Sequence, residues 1–287
     1  MNRRLLGGLF ALASCAPAFA DDIVPWAYPV GAAGLEREER NLWADAEEFD
    51  KALGRADKLR KDPELNAYLQ KVMDRLYPEF GGKLRIQALD ANQLNAFALP
   101  NGSIYINTGL LARLQNEAQL ATVLAHEGAH FVHRHSYQQL ENAKSMSVVA
   151  LVIGMAGVPI VGNAVALGSM SGFSREHEGE ADHIGYQRLV KAGYAAKEAP
   201  RTFAPLIAEI KALEIDEPFF FASHPKLQDR VDILGELAKD AANGEAGYEA
   251  YVMAMRGVRL AALQQDLEAY RYQQLIQIGR ASCRERV

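Results

Sequence analysis

Two histidines four residues apart, His126 and His130, constrain the fold of this chain more than any other feature of its sequence. Apolar residues around them, such as Leu120 and Phe131, recur at helical spacing, so both imidazoles lie on one face of a helix. At that spacing they can reach one metal ion, and Glu127 is placed to take a proton from a metal-bound water. The alternative, that both histidines simply lie on the polar face of an amphipathic helix, agrees less well with the apolar turns that precede them. A third ligand must therefore come from elsewhere in the chain.

The acidic segment after Ser174 contains the candidates for that third ligand. Glu178 and Asp182 are four residues apart and share one face of a helix that is predicted to start at Ser174 and to end near Gly193. In this arrangement Glu178 binds the metal, while Asp182 accepts a hydrogen bond from the free nitrogen of a ligating histidine. Charge alone does not decide between Glu178 and two neighbouring carboxylates, Glu176 and Glu180.

The metal-binding helix also contains a glycine, Gly128. A glycine inside a helix costs about 1 kcal/mol relative to alanine. We therefore predict that another group approaches the helix closely at this point.

These motifs resemble those of the zinc metallopeptidases within the gluzincins that include HtpX, BepA and the CAAX prenyl proteases. The family pattern H-E-x-x-H followed by E-x-x-x-D matches His126–His130 and Glu178–Asp182, and the periplasmic BepA-like members are closest. The resemblance spans roughly residues 40–240. It implies one Zn²⁺ per chain, held by His126, His130 and Glu178, with Glu127 as the general base. Further matching segments are Asn95–Pro100, Ile104–Asn107 and Ser223–Pro225, together with Arg230.

The resemblance also implies the fold class, which is α+β and predominantly helical. It implies a zincin-like metallopeptidase domain with a small antiparallel sheet, whose edge strand flanks the active-site helix. The sequence itself alternates in strand fashion over residues 84–89 and 103–107. In the family the edge strand pairs with the backbone of an extended substrate. The residues implied for substrate binding are Asn95, Ala96, Phe97 and Ala98.

Two residues near residue 227, His224 and Arg230, are candidates for further catalytic roles. In some family members a histidine at the place of His224 is a fourth zinc ligand that keeps the enzyme latent. Alternatively, His224 or Arg230 stabilises the oxyanion of the tetrahedral intermediate, or His224 only belongs to a tight turn. We read His133 and His135 as surface or capping residues. The histidines read as structural are His177 and His183.

Composition limits the partners and the compartment. The formal net charge is −5, and an acidic chain of this kind argues against nucleic-acid binding. Residues 1–20 read as a secretory signal, which predicts a periplasmic protein. A rival reading makes Cys15 the lipid-bearing residue of a lipoprotein. The expected partner is an unfolded or extended polypeptide.

The sequence divides into four predicted parts. They are a signal peptide (1–20), a zinc metallopeptidase domain (21–240), a helical region that begins a helical repeat (241–277), and a non-native tail (278–287). The tail, which contains Cys283, resembles a translated sequencing adapter and shows no helical pattern.

The stretch from Ser145 to Ser174 contains no charged residue and is long enough to cross a membrane. A single crossing would separate His126 from Glu178, and a double crossing needs more residues. We therefore predict a helical hairpin that packs on the domain or against a membrane surface, which allows peripheral membrane association.

The sequence thus predicts a zinc-dependent endopeptidase of the bacterial cell envelope that hydrolyses misfolded or unassembled proteins. The competing class is a latent, zinc-loaded chaperone or scaffold whose peptidase activity is blocked by His224. A purely structural zinc site is a weaker third reading, because such a site has no need of a base at Glu127.

Overall fold

The computed structural model of the protein describes residues 37–142, 173–213 and 227–283. Several predictions fall outside the described residues: the signal peptide with Cys15, nearly all of the uncharged stretch, and His224. In the described part, no helix has both the length and the apolar character that crossing a membrane requires.

The described residues are mostly helical, as predicted, with one small sheet. The helices are α1 (Arg37–Arg55), α2 (Pro63–Leu76), α3 (Thr108–Arg113), α4 (Glu117–Val132), α5 (His135–Asn142), α6 (Arg175–Lys191), α7 (Ala204–Leu213), α8 (Leu227–Leu237), α9 (Tyr248–Glu268) and α10 (Tyr272–Cys283). The strands are β1 (Arg85–Leu89), β2 (Ala96–Ala98) and β3 (Ser103–Asn107).

The sheet has three strands in the order β1-β3-β2, and it is mixed. Strands β2 and β3 are antiparallel, as predicted, with Phe97 opposite Tyr105. Strands β1 and β3 are parallel, with Gln87 opposite Tyr105, which the prediction of an antiparallel sheet did not include. The chain reverses once between β1 and β2 and again between β2 and β3, so the first and third strands run the same way.

Helix α4 lies at the centre of the main core. Every residue from Ala118 to Val132 is buried. The helix begins where the Asn116 side chain accepts a hydrogen bond from the Gln119 backbone N–H at 2.9 Å. Helices α2 and α6 and strand β2 pack around it. A helix enclosed on all sides places any polar side chain it carries in the interior.

Two glycines let neighbouring groups reach α4 closely. A Cβ atom at Gly128 would lie 2.3 Å from the Tyr77 ring, so the predicted close approach is confirmed. The Tyr77 hydroxyl donates a hydrogen bond to the Ala125 carbonyl at 2.5 Å. On another side of α4, a Cβ atom at Gly185 of α6 would lie 3.1 Å from the backbone nitrogen of His126. The two helices therefore approach each other closely beside a predicted metal ligand.

Helix α6 has the predicted bounds. The Ser174 hydroxyl accepts a hydrogen bond from the His177 backbone N–H at 3.2 Å and caps the start of the helix. Gly193, with a φ of +79°, follows its end. These two signals account for the start and the end of the helix.

Helix α1 covers a second, smaller apolar cluster on the sheet. Its Phe49 ring packs edge-on against Phe97 and Tyr105. The Asp50 carboxylate accepts hydrogen bonds from the Tyr105 hydroxyl at 2.6 Å and the Ser103 hydroxyl at 2.8 Å. This helix is therefore joined to the sheet by both apolar and polar contacts.

The last two helices pack against α3. The Tyr251 hydroxyl of α9 donates to the Leu111 carbonyl at 2.6 Å, and Arg259 donates to the Leu114 carbonyl at 3.0 Å. Helix α10 continues to Cys283, and Ile278 is buried. The first residues of the predicted tail are therefore helical although their sequence shows no helical pattern, and Ile278 packs into the core.

Candidate metal centre

Three side chains from two helices converge inside the protein. The Nε2 atoms of His126 and His130 on α4 lie 2.9 Å apart. Each of them lies 3.5 Å from a carboxylate oxygen of Glu178 on α6. All three residues are buried. The structure thus brings together the three residues that the sequence predicted as metal ligands.

This donor set fits a zinc ion. Ligand atoms about 2.0 Å from a tetrahedral ion lie about 3.3 Å from one another, close to the distances of 2.9 and 3.5 Å. Two imidazoles and one carboxylate leave one tetrahedral position open, as in catalytic zinc sites.

Asp182 fixes the orientation of the first ligand. Its Oδ1 atom lies 2.9 Å from His126 Nδ1. Because an ionised carboxylate only accepts hydrogen bonds, the hydrogen of a neutral His126 ring sits on Nδ1, and Nε2 presents its lone pair to the metal position.

The electrostatics of the site favour charged groups. Burial and the Arg230 cation lower the pKa of His126, but hydrogen bonds to Asp182 and Glu178 outweigh them and raise it to about 9. Burial raises the pKa of Asp182, yet Arg230 and His126 hold it below its usual value. A cation bound at this site would therefore displace a proton from His126.

The structure distinguishes between the three acidic candidates on α6. Glu178 faces the two histidines, whereas Glu176 is exposed. Glu180 lies beside two other histidines, His133 and His135, at 3.0 and 3.3 Å. Only Glu178 of these three lies at the predicted metal position.

Glu127 follows the first ligand directly on α4 and is almost completely buried, with 1% of its surface exposed. Burial lowers the pKa of Arg230, but the charges of Asp182, Glu178 and Glu127 outweigh it and raise it. The Glu127 carboxylate therefore belongs to the same buried charge cluster as the ligands.

Arg230, one of the two candidate oxyanion donors, is held by Asp182 next to His126. Its Nε and Nη2 atoms donate to Asp182 at 2.6–3.1 Å. Nη2 and His126 Nδ1 share Asp182 Oδ1 as their acceptor, which places the two nitrogens 2.9 Å apart. The guanidinium also stacks over the Phe203 ring. These contacts give Arg230 a positioning role at His126, and its predicted role at the oxyanion stays a prediction.

Strand β2, which carries the predicted substrate-binding residues, lies at an edge of the sheet beside α4. Leu99 and Asn95 are hydrogen-bonded across to β3 at 2.7 and 2.9 Å. Because antiparallel residues alternate in this respect, the backbone groups of Ala96 and Ala98 point away from β3. At the other edge, the isolated bridge of Leu59 covers part of β1.

Sequence reasoning missed the surroundings of the second ligand. The reading of His135 as a surface or capping residue is wrong, because its ring is fully buried and its Nδ1 atom lies 2.8 Å from His130 Nδ1. His177 stacks on His135 at 4.5 Å, and Phe173 stacks on His130 at 3.9 Å. Burial and the imidazoles of His177 and His133 lower the pKa of His135 to about 3. The ring is therefore neutral at neutral pH.

Comparison with known proteins agrees with this geometry. The model of peptidase family M48 matches residues 63–238, which include every described ligand and Arg230, and the chain belongs to this family. A Vibrio cholerae protein named "Putative beta-barrel assembly-enhancing protease" is 29% identical over 82% of this chain and 52% of its own length.

Two further relatives extend the comparison. The beta-barrel assembly-enhancing protease of Escherichia coli K12 is 25% identical over 80% of this chain and 51% of its own length. The mitochondrial metalloendopeptidase OMA1 of Arabidopsis thaliana is 38% identical over 39% of this chain and 24% of its own length. The chain thus spans about half the length of the bacterial relatives.

Proposed function

We propose that this chain is a zinc metalloendopeptidase of the bacterial cell envelope that cleaves extended segments of misfolded or unassembled proteins. The observation that carries the proposal is the convergence of His126, His130 and Glu178 next to the buried carboxylate Glu127. Membership of peptidase family M48 supports the reaction class.

The residues divide the chemistry between them. His126, His130 and Glu178 would hold a zinc ion, which would supply a bound water with a pKa of about 7 and a Lewis acid for the peptide carbonyl. Glu127 accepts the proton of the attacking water and then donates it to the leaving amine. Asp182 keeps the His126 ring in the orientation that this geometry requires.

The edge position of β2 supports an extended substrate. A peptide that adds as a further strand would form hydrogen bonds to the outward backbone groups of this strand, in which Ala98 is partly exposed and Ala96 is buried, next to the metal-binding helix. Strand addition reads the main chain more than the side chains, which suits a protease that acts on unfolded proteins of varied sequence.

The cell envelope is the proposed location. It is supported by the signal-like residues 1–20 and by the beta-barrel assembly named for the bacterial relatives. Peripheral membrane contact through the uncharged stretch from Ser145 to Ser174 is part of the proposal, and flotation of the full chain with liposomes tests it.

The decisive experiment compares the full chain with its Glu127→Gln variant on an unfolded test protein. We expect the variant to lose activity by at least about 100-fold, because the general base is gone. Its zinc content, measured by elemental analysis, should equal that of the wild type, because Glu127 is not a ligand. Chelation should abolish wild-type cleavage, and added zinc should restore it.

Glu176→Gln is the matched control, since Glu176 is an exposed carboxylate on the ligand helix. It should cleave at the wild-type rate. Wild-type protein that contains no transition metal, or a Glu127→Gln variant that cleaves normally, would contradict the proposal.

A further inference from the structure

The second ligand, His130, has a neighbour that the peptidase mechanism above does not use. His130 Nδ1 lies 2.8 Å from His135 Nδ1, and His135 Nε2 lies 3.3 Å from Glu180 Oε2. The three side chains form a continuous row that leads away from the metal position. We propose that His135 is a positioning residue that accepts a hydrogen bond from His130, passes one on to Glu180, and so fixes the second zinc ligand. This inference rests on the proposed zinc site.

The hydrogens in this row can be assigned one by one. His130 Nε2 faces His126 and Glu178, so its lone pair is needed for the metal and its hydrogen sits on Nδ1. His135 Nδ1 must then accept that hydrogen bond, because two donors cannot face each other at 2.8 Å. A neutral His135 consequently carries its own hydrogen on Nε2, which is the atom that faces the Glu180 carboxylate.

The packing holds this arrangement in place. The His135 ring has no exposed surface. It stacks face to face on the His177 ring, with an angle of 14° between the two ring planes. Phe173 covers the His130 ring in the same way, at an angle of 15°. Neither imidazole can turn without breaking a stack. The row ends at Glu180, whose side chain is 29% exposed and also contacts His133.

The same cluster resembles a second metal site, since His133, His135 and Glu180 bring three donor atoms within 4.8 Å of one another. The hydrogen assignment excludes that use while the first site is filled. A metal on His135 Nε2 would move the ring hydrogen to Nδ1, directly against the hydrogen on His130 Nδ1. The proposal therefore requires one zinc per chain.

Two substitutions of His135 separate positioning from plain packing. His135→Phe keeps a ring that can stack on His177 but removes the acceptor for His130. His135→Asn loses the ring but places an amide oxygen near the position of the lost Nδ1. We expect His135→Phe to bind zinc about 10–100-fold more weakly than the wild type in competition with a chelator. His135→Asn should recover most of that loss.

His133→Asn is the matched control, because His133 contacts the same Glu180 carboxylate but not His130. It should leave zinc affinity unchanged. If His135→Phe does not fold, Glu180→Leu tests the far end of the row and should weaken zinc binding several-fold.

The inference would be overturned if His135→Phe, or Glu180→Leu where it replaces that variant, bound zinc with wild-type affinity. It would also be overturned if His135→Phe and His135→Asn lost zinc affinity equally. A second zinc ion per chain that is absent from the His135 variants would overturn it as well. A wild-type chain that binds no zinc would instead contradict the proposed function.

Discussion

Arg230 and Asp182 form the buried ion pair on which the site rests. Their side chains are 3% and 2% exposed, and the shortest contact is 2.6 Å. A charge removed from water costs several kcal/mol unless a partner compensates it, so each of these residues depends on the other. Asp182 in turn holds His126, and the pair therefore links the stability of the fold to the shape of the metal site.

Arg230→Met should consequently destabilise the protein by about 3–5 kcal/mol, because it leaves the Asp182 carboxylate buried without its cation. The free energy of unfolding in urea measures this. Lys239→Met is the control, since both side chains of its ion pair with Glu236 are exposed, at 68% and 79%, and it should cost less than about 1 kcal/mol. If Arg230→Met slowed cleavage without changing stability or zinc affinity, a direct role at the oxyanion would be supported instead.

Among the individual residues of the site, the sequence predicted those whose spacing follows helix geometry. His126 and His130, like Glu178 and Asp182, are four residues apart, and the structure places each pair on one face. His135 could not be found in this way. It reaches His130 because the chain turns at Arg134, a non-glycine residue with a φ of +54°, and no periodicity in the sequence predicts such a turn.

Among the elements, helices α4 and α6 determine the site, and their approach depends on small residues. Gly185 lets α6 lie against the backbone of His126, and Gly128 accommodates the Tyr77 ring. A side chain at either position would meet atoms that are buried and closely packed.

Gly128→Ala should therefore destabilise the protein by about 1–3 kcal/mol, although alanine is the better helix former, because the buried Tyr77 ring has to move. Gly257→Ala in α9 is the control, since no atom lies within 4 Å of the new Cβ, and it should stabilise the protein by up to about 1 kcal/mol. Thermal unfolding of the two variants tests the pair. If both substitutions changed the stability by the same amount and in the same direction, helix propensity and not the Tyr77 contact would determine the effect of Gly128→Ala.

The arrangement of the sheet was less predictable than the helices. Alternation of side chains identified β1 and β3, and the resemblance supplied β2 as an edge strand. Strand order depends on β3 lying between the other two, which is a matter of the packing of Ile86, Ile104 and Ile106 in the main core rather than of local pattern.

Across the whole molecule, a bound zinc ion would join two segments separated by about fifty residues of chain. Binding to the folded state alone stabilises it by about 2.7 kcal/mol when free zinc is 100-fold above its Kd. A chelator should therefore lower the midpoint of thermal unfolding of the wild type. Glu178→Gln, which weakens the α6 contribution, should show a much smaller shift. Equal shifts in both proteins would mean that the metal is bound elsewhere.

Helix α1 lies ahead of the segment matched by the family model, which begins at residue 63. Yet its Glu39 carboxylate accepts a hydrogen bond at 2.8 Å from Arg134, the residue at the turn that brings His135 inward, and its Asp50 anchors the central strand. A shortened protein that starts at residue 63 would expose the apolar face of the sheet that α1 covers, and it would lack the Glu39 hydrogen bond to the turn at Arg134. A fragment expressed for study of the metal site should accordingly begin at or before Arg37.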